Sequence, residues 1–166
     1  MIFSLEMLKP HFDALERCRG VEQLEVYHPE GDVFIHSLQV LQWAFKETID
    51  TDLILAAMLH DVGKAENSLG HEHIAIKMIG EWLSVKTCWL IEQHMRIWYL
   101  LNGEMRKLSK IKELVDHPFL PELILLARWD KLGRYPKRKV LYSKQMIVDR
   151  LNYCAEEHFK TIDKEM

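Results

Sequence analysis

The sequence predicts an all-α fold, a compact bundle of about seven helices in one domain spanning residues 1–166. Three observations carry this. Apolar residues recur at steps of three and four through most of the chain. Glycine (7) and proline (5) are too scarce for a turn-rich β-protein. No Asn-Gly or Asp-Gly turn separates two alternating runs.

Each element follows from local pattern. Phe3, Met7, Leu8, Phe12 and Leu15 mark a first amphipathic face. His28–Asp32 (HPEGD) is turn chemistry. Phe34, Leu38, Leu41 and Phe45 mark a second helical face. Thr51 or Asp52 caps a third helix, whose apolar run Leu53–Leu59 stops near Gly63. Leu, Ala and Met in that run favour a helix buried on all sides over a strand. Beyond a polar loop at 64–70, Ala75, Met78, Ile79 and Trp82 share a face. Thr87 opens a helix carrying Leu90, Ile91, Ile97 and Trp98, and 109–116 is a short helical segment. Pro121 suits the first turn of a helix that Gly133 ends. Residues 138–160 form a long amphipathic C-terminal helix. There is no internal repeat and no linker that would divide the chain.

Composition narrows the function. A net charge of −3 is no footprint for non-specific nucleic-acid binding. Cys18, Cys88 and Cys154 are odd in number and far apart, which argues against disulfides and thiolate zinc sites and for a reducing compartment. No apolar run approaches the ~20 residues needed to span a bilayer. The N-terminus lacks the pattern of a signal peptide. The expectation is a cytoplasmic protein without membrane contact.

Nine histidines stand out. Four share a face with apolar neighbours: His36 with Val40 and Trp43, His60 at the end of the apolar run, His71 with Ala75 and Met78, and His94 among Leu90, Ile91, Ile97 and Trp98. Asp61 directly follows His60, and Asp130 follows Leu123, Leu126 and Ala127. A lone histidine on an apolar face is more often a satisfied core residue than a ligand. Inward carboxylates, however, cost several kcal/mol unless paired or bound to a metal. One shared metal ion is the simplest joint solution, and imidazoles with carboxylates suit manganese, iron, cobalt, nickel or zinc better than magnesium. His73 aligns with Lys77 and Glu81 and reads as solvent-facing; His11, His28, His117 and His158 read as surface or loop residues.

The segments HPEGDVFIHSLQVL (28–41), LAAMLHDVGK (55–64), GHEHIA (70–75), IEQHMR (91–96) and ARWDKLGR (127–134) resemble the HD-domain metal-dependent phosphohydrolase superfamily. They are most similar to the HD domain attached to bacterial CCA-adding tRNA nucleotidyltransferases. The resemblance covers residues 24–134. It implies that His36, His60, Asp61 and Asp130 hold the metal, and that His71 and His94 lie beside it, contacting phosphate or a second ion. Gln93-His94 stands where many two-metal members carry a His-His pair, so one tight ion is expected. No Gly-Ser motif with paired aspartates precedes the domain, and Asp50-Thr51-Asp52 reads as a helix N-terminus, so a stand-alone HD domain is expected.

The expected activity is hydrolysis of phosphomonoesters or phosphodiesters of nucleotides or RNA ends by a water that the metal activates. Asp61 ligates the ion and orients the water, with His71 and His94 beside it as catalytic residues. Lys64, one turn on, neutralises charge on the phosphoryl oxygens, a role the HDxxK pattern also implies. Arg96 reads either as a bidentate phosphate contact or as a surface partner of Glu92. Lys131, Arg134, Lys137, Arg138 and Lys139 form a basic cluster after Asp130, with Arg134 a second phosphate contact. Trp98 or Trp129 is placed to stack on a base, although core burial is the plainer reading of both. The alternatives are a non-catalytic module that binds metal and a nucleotide or tRNA, and an HD-fold di-iron oxygenase. The single histidine at 93–94 counts against the oxygenase. The long C-terminal helix leaves oligomeric state open.

Overall fold

The structure, a computed structural model, describes residues 2–136 and 138–166. Among them there are helices and no strands. The α-helices are α1 (Lys9–Glu16), α2 (Val33–Glu47), α3 (Thr51–Leu59), α4 (His71–Ile79), α5 (Val85–Gln93), α6 (Arg96–Leu101), α7 (Leu108–Val115), α8 (Leu120–Leu132) and α9 (Lys144–Glu165). Short 3-10 turns at Val62–Ala65 and Gly80–Trp82 flank α4.

Helix α3 is the axis of the bundle. Every residue from Leu53 to Leu59 is buried, and α1, α2, α5, α8 and α9 all pack against it. That is the placement expected of a helix apolar on all sides. Its start is fixed by Asp50, whose side chain accepts from the backbone N–H groups of Asp52 and Leu53. The cap is thus one residue before those read from sequence, and Asp50-Thr51-Asp52 is a helix N-terminus as expected. Asp32 caps α2, Ser84 caps α5 and Ser143 caps α9 in the same way.

Several boundaries differ from the periodicity. The first helix begins at Lys9, because Pro10 suits a first turn, and Met7 before it is half exposed (50%). The third helix stops at Leu59, and a 3-10 turn carries the chain on from Asp61. The expected helix from Thr87 through Trp98 is two, broken at His94-Met95. The C-terminal helix starts six residues later than expected and runs on to Glu165.

Two glycines are set by close approach. A Cβ on Gly63 would lie 2.0 Å from the carbonyl oxygen of His71, so the turn after α3 meets the start of α4 backbone to backbone. A Cβ on Gly133 would lie 2.6 Å from Val40 Cγ2, which seats the end of α8 on α2. Both contacts hold a chemistry-bearing segment against its neighbour. No helix among the described residues is long and apolar enough to cross a membrane.

Candidate metal centre

Five elements deliver six buried side chains to one point. His36 comes from α2, His60 from the C-cap of α3, Asp61 from the following residue, His71 from the first position of α4, His94 from the C-cap of α5, and Asp130 from α8. Ligand atoms of His36, His60, Asp61 and Asp130 all lie within 4.8 Å of one another, as do those of Asp61, His71 and His94. All six sequence-predicted residues therefore converge.

Hydrogen bonding aims the rings. His60 Nδ1 lies 2.9 Å from the carbonyl oxygen of Ala57, His71 Nδ1 2.9 Å from that of Ser68, and His94 Nδ1 2.6 Å from that of Ile91. In each case the acceptor is three residues earlier, so local backbone fixes the ring. His36 Nδ1 faces two acceptors, Gly133 O at 2.8 Å and Glu30 Oε2 at 2.9 Å. An acceptor opposite every Nδ1 places the proton there and turns all four Nε2 atoms toward Asp61 and Asp130.

Asp61 serves both sides. Its Oδ2 is 3.2 Å from His60 Nε2 and 3.5 Å from His36 Nε2, while Oδ1 is 3.0 Å from His71 Nε2 and 3.4 Å from His94 Nε2. Asp130 Oδ1 is 2.9 Å from His36 Nε2 and 3.5 Å from His60 Nε2. His60 Nε2 is nonetheless buried without a well-directed hydrogen-bond partner. His71 Nε2 and His94 Nε2 face each other at 3.1 Å. Convergent imidazole lone pairs and carboxylates, one of them orphaned, have the donor chemistry of a divalent cation site.

The electrostatics agree. Burial opposes a charge on His36, but Asp130, Glu30 and Asp61 outweigh it and push its pKa up to about 9. Burial likewise opposes protonation of His60, and Asp61 and Asp130 push it up to about 10. Burial alone would raise both aspartates; the neighbouring His60, Lys64 and His71 hold Asp61 far below the usual range, and His36 and His60 do so for Asp130. The cluster is a concentrated negative field that draws in positive charge.

A cleft of about 840 Å³ opens onto Asp61, His71 and Asp130. Lys64 lies in it, 3.3 Å from Asp61 Oδ2 and donating to Gln23 Oε1 at 2.9 Å. Arg134 and Lys131 line the same cleft, with Arg134 donating to the carbonyls of Asp130 and Tyr27. Trp98 lines it as well.

Other expectations need correction. Arg96 is not in the cleft: it donates to Gln93 at 2.9 Å and pairs with Glu113 at 3.2 Å, because the break at His94-Met95 resets the helical phase. Glu92 is not its partner. Trp129 takes the core burial that is its plainer reading: it is fully buried and donates to Glu47 at 2.6 Å, so no base reaches it. Arg138 and Lys139 are exposed but do not line the cleft, and Lys137 lies outside the described residues. His73 and His158 are exposed as expected, whereas His11 is buried and His117 stacks on Trp89 at 3.7 Å. His28 lines the cleft, and Glu30 behind it is buried; neither had been singled out as part of the centre. An acidic residue six positions before His36 was the only signal for Glu30.

Comparison with known proteins places this geometry. Residues 33–135, more than half of the chain, match the family model of the HD domain. The chain is similar to multifunctional CCA proteins of Acinetobacter baumannii (45% identity over 62 residues), Methylococcus capsulatus (38% over 76) and Pseudomonas fluorescens (36% over 83). These matches cover 37%, 42% and 46% of this chain but only 14%, 18% and 20% of the relatives. The chain thus spans a fifth or less of the curated proteins it matches. HD domains bind divalent metals and are typically metal-dependent hydrolases, which is the chemistry the donor cluster fits. On its matched residues and its buried His/Asp cluster, this chain belongs to the HD-domain family.

Proposed function

We propose that the protein is a divalent-metal-dependent phosphohydrolase acting on nucleotides or RNA-end phosphates. The observation that carries this reading is the orphaned His60 Nε2, buried beside Asp61 and Asp130, which themselves line a cleft together with Lys64, Lys131 and Arg134. His36, His60, Asp61 and Asp130 would hold the ion, with manganese, iron, cobalt, nickel or zinc favoured over magnesium by the nitrogen ligands. His71 and His94 would contact phosphate or a weaker second ion. When bound, such an ion supplies a water acidified toward neutrality and a Lewis acid for a phosphoryl oxygen.

The chain's own residues complete the chemistry. The Nδ1–H bonds lock each imidazole with Nε2 toward the centre, so no reorganisation is needed when substrate arrives. Asp61, with one oxygen toward each pair of histidines, keeps the two sides in register. Lys64 offers an ammonium beside Asp61, where negative charge accumulates on the phosphoryl oxygens. Arg134 and Lys131, which line the same cleft, attract a polyanion to it. Trp98 and Tyr27 give that cleft the aromatic surface a base requires.

Elemental analysis of the purified chain beside a His60→Ala/Asp61→Ala double variant tests the site. Near-stoichiometric transition metal in the first and none in the second is expected. Phosphate release from 2′-nucleotides, ring opening of 2′,3′-cyclic nucleotides and dephosphorylation of RNA ends then test the activity. Metal without turnover on any of these would leave a binding module; no metal after incubation with manganese, nickel and zinc would overturn the hydrolase reading.

A further inference from the structure

Glu30 is a buried anion with no structural reason to be charged. Its side chain is 0% exposed. It forms no ion pair with a lysine or arginine among the described residues; its side-chain partners are two imidazoles. Oε2 lies 2.9 Å from His36 Nδ1, and His28 Nδ1 approaches both carboxylate oxygens at 3.4 Å. Oε1 has no well-directed hydrogen bond. An apolar residue of the same volume would fill this position at equal or lower cost. The tautomer of His36 does not need Glu30 either, because Gly133 O already accepts from the same Nδ1 at 2.8 Å.

What Glu30 adds is charge behind one ligand. The other three imidazoles of the centre hydrogen-bond at Nδ1 to neutral backbone carbonyls, and the one further carboxylate near them among the described residues, Glu72, stands 3.8 Å from His71 Nδ1, beyond hydrogen-bond reach. A carboxylate on the far nitrogen makes a ligating imidazole a stronger donor to a cation. We infer that Glu30, steadied by His28 at the cleft wall, is a positioning residue that strengthens His36 as a ligand for a divalent cation. The inference rests on the metal-centre reading above.

Calorimetric titration of Ni²⁺ into the full chain and into Glu30→Gln tests it. The amide keeps the shape and an acceptor but removes the charge. Outer partners of metal-bound histidines are worth ~10–100-fold in affinity. Because Gly133 O remains, the loss expected for Glu30→Gln is at the low end, ~10-fold, with an unchanged far-UV circular dichroism spectrum. If Glu30→Gln does not fold, Glu30→Met, which spares the burial of a charge altogether, is measured instead, and an equal or larger loss is expected. Affinity within twofold of the wild type would overturn the role of Glu30 and leave the metal centre standing. A wild-type chain that takes up no Ni²⁺ would overturn the centre itself and the inference with it.

Discussion

The two sides of the centre share Asp61 and little else. On one side His36 and His60 face both Asp61 and Asp130, and their pKa values are pushed up to about 9 and about 10 against the effect of burial. On the other, the Nε2 atoms of His71 and His94 face one oxygen of Asp61 and each other. There burial dominates, and with the charges of His60 and His71 it holds His94 below its ordinary value despite its bond to Asp61. Burial thus prevails at His94, whereas the carboxylates together outweigh it at His36 and His60. The carboxylates make the difference: Asp61 and Asp130, with Glu30 behind His36, serve the first pair, and Asp61 alone faces the Nε2 atoms of the second. The function proposed above accordingly expects one tightly held ion on the first side and a transient ion or a phosphate oxygen on the second.

Asp61→Ala is the most severe way to break this comparison, since it strips both sides at once. Metal measured by elemental analysis is expected to fall to background and hydrolysis with it, a larger effect than the ~10–100-fold lost with an outer partner. His94→Ala sharpens the contrast. It is expected to retain near-stoichiometric metal while losing turnover, and metal-free His94→Ala would show that the sides are not separable. Next in size is Lys64→Ala. In the function proposed above its ammonium acts on the transition state rather than on the ion, so kcat is expected to drop ~10²-fold with metal content intact.

Gly63 tests whether the second side depends on a single backbone contact. A Cβ there would meet the carbonyl oxygen of His71 at 2.0 Å, so Gly63→Ala must push α4 away from the turn that carries Lys64. Overpacking of this kind costs ~1–3 kcal/mol. Thermal unfolding is expected to show that loss, and the variant should keep the metal of the first side while its phosphate affinity falls.

How much of this the sequence discloses depends on whether a residue sits inside a helix. Asp130 was legible because Leu123, Leu126 and Ala127 fix its phase, and His60 because it ends a run that is buried all round. Arg96 forms a surface pair, as one of its two readings had it, but with Glu113 rather than Glu92, because the chain breaks just before it and the helical spacing to Glu92 is lost. Trp98 and Trp129 are equally close to predicted ligands in sequence, yet only the first reaches the cleft. Glu30, His28 and Gln23 lie before α2 in a segment with no period, and a loop carries no phase from which to read direction. The family resemblance supplied the set His36, His60, Asp61 and Asp130 but not the carboxylate behind it.

The smallest effect comes from a histidine outside the centre. His11 in α1 is buried like His36 and His60, but no carboxylate faces it and its Nδ1 has no hydrogen-bond partner. Burial therefore lowers its pKa from 6.5, against a weaker opposing bond to the backbone of Trp82. The folded state prefers the neutral ring, so below pH 6.5 the unfolded chain binds more protons. The contribution of this residue to stability is full above pH 6.5 and is lost as pH falls through the lower folded value. The sign is opposite for His36 and His60 in the metal-free chain. Their raised values favour the folded state at low pH, and that contribution disappears as pH rises through about 9 and about 10. His11→Gln should therefore flatten the acid limb of the stability curve below pH 6.5 and leave the alkaline limb alone, as followed by urea unfolding across pH. An acid limb unchanged in the variant would mean that burial alone does not set the charge preference of a histidine in this core, and the contrast between the two sides of the centre would need another cause.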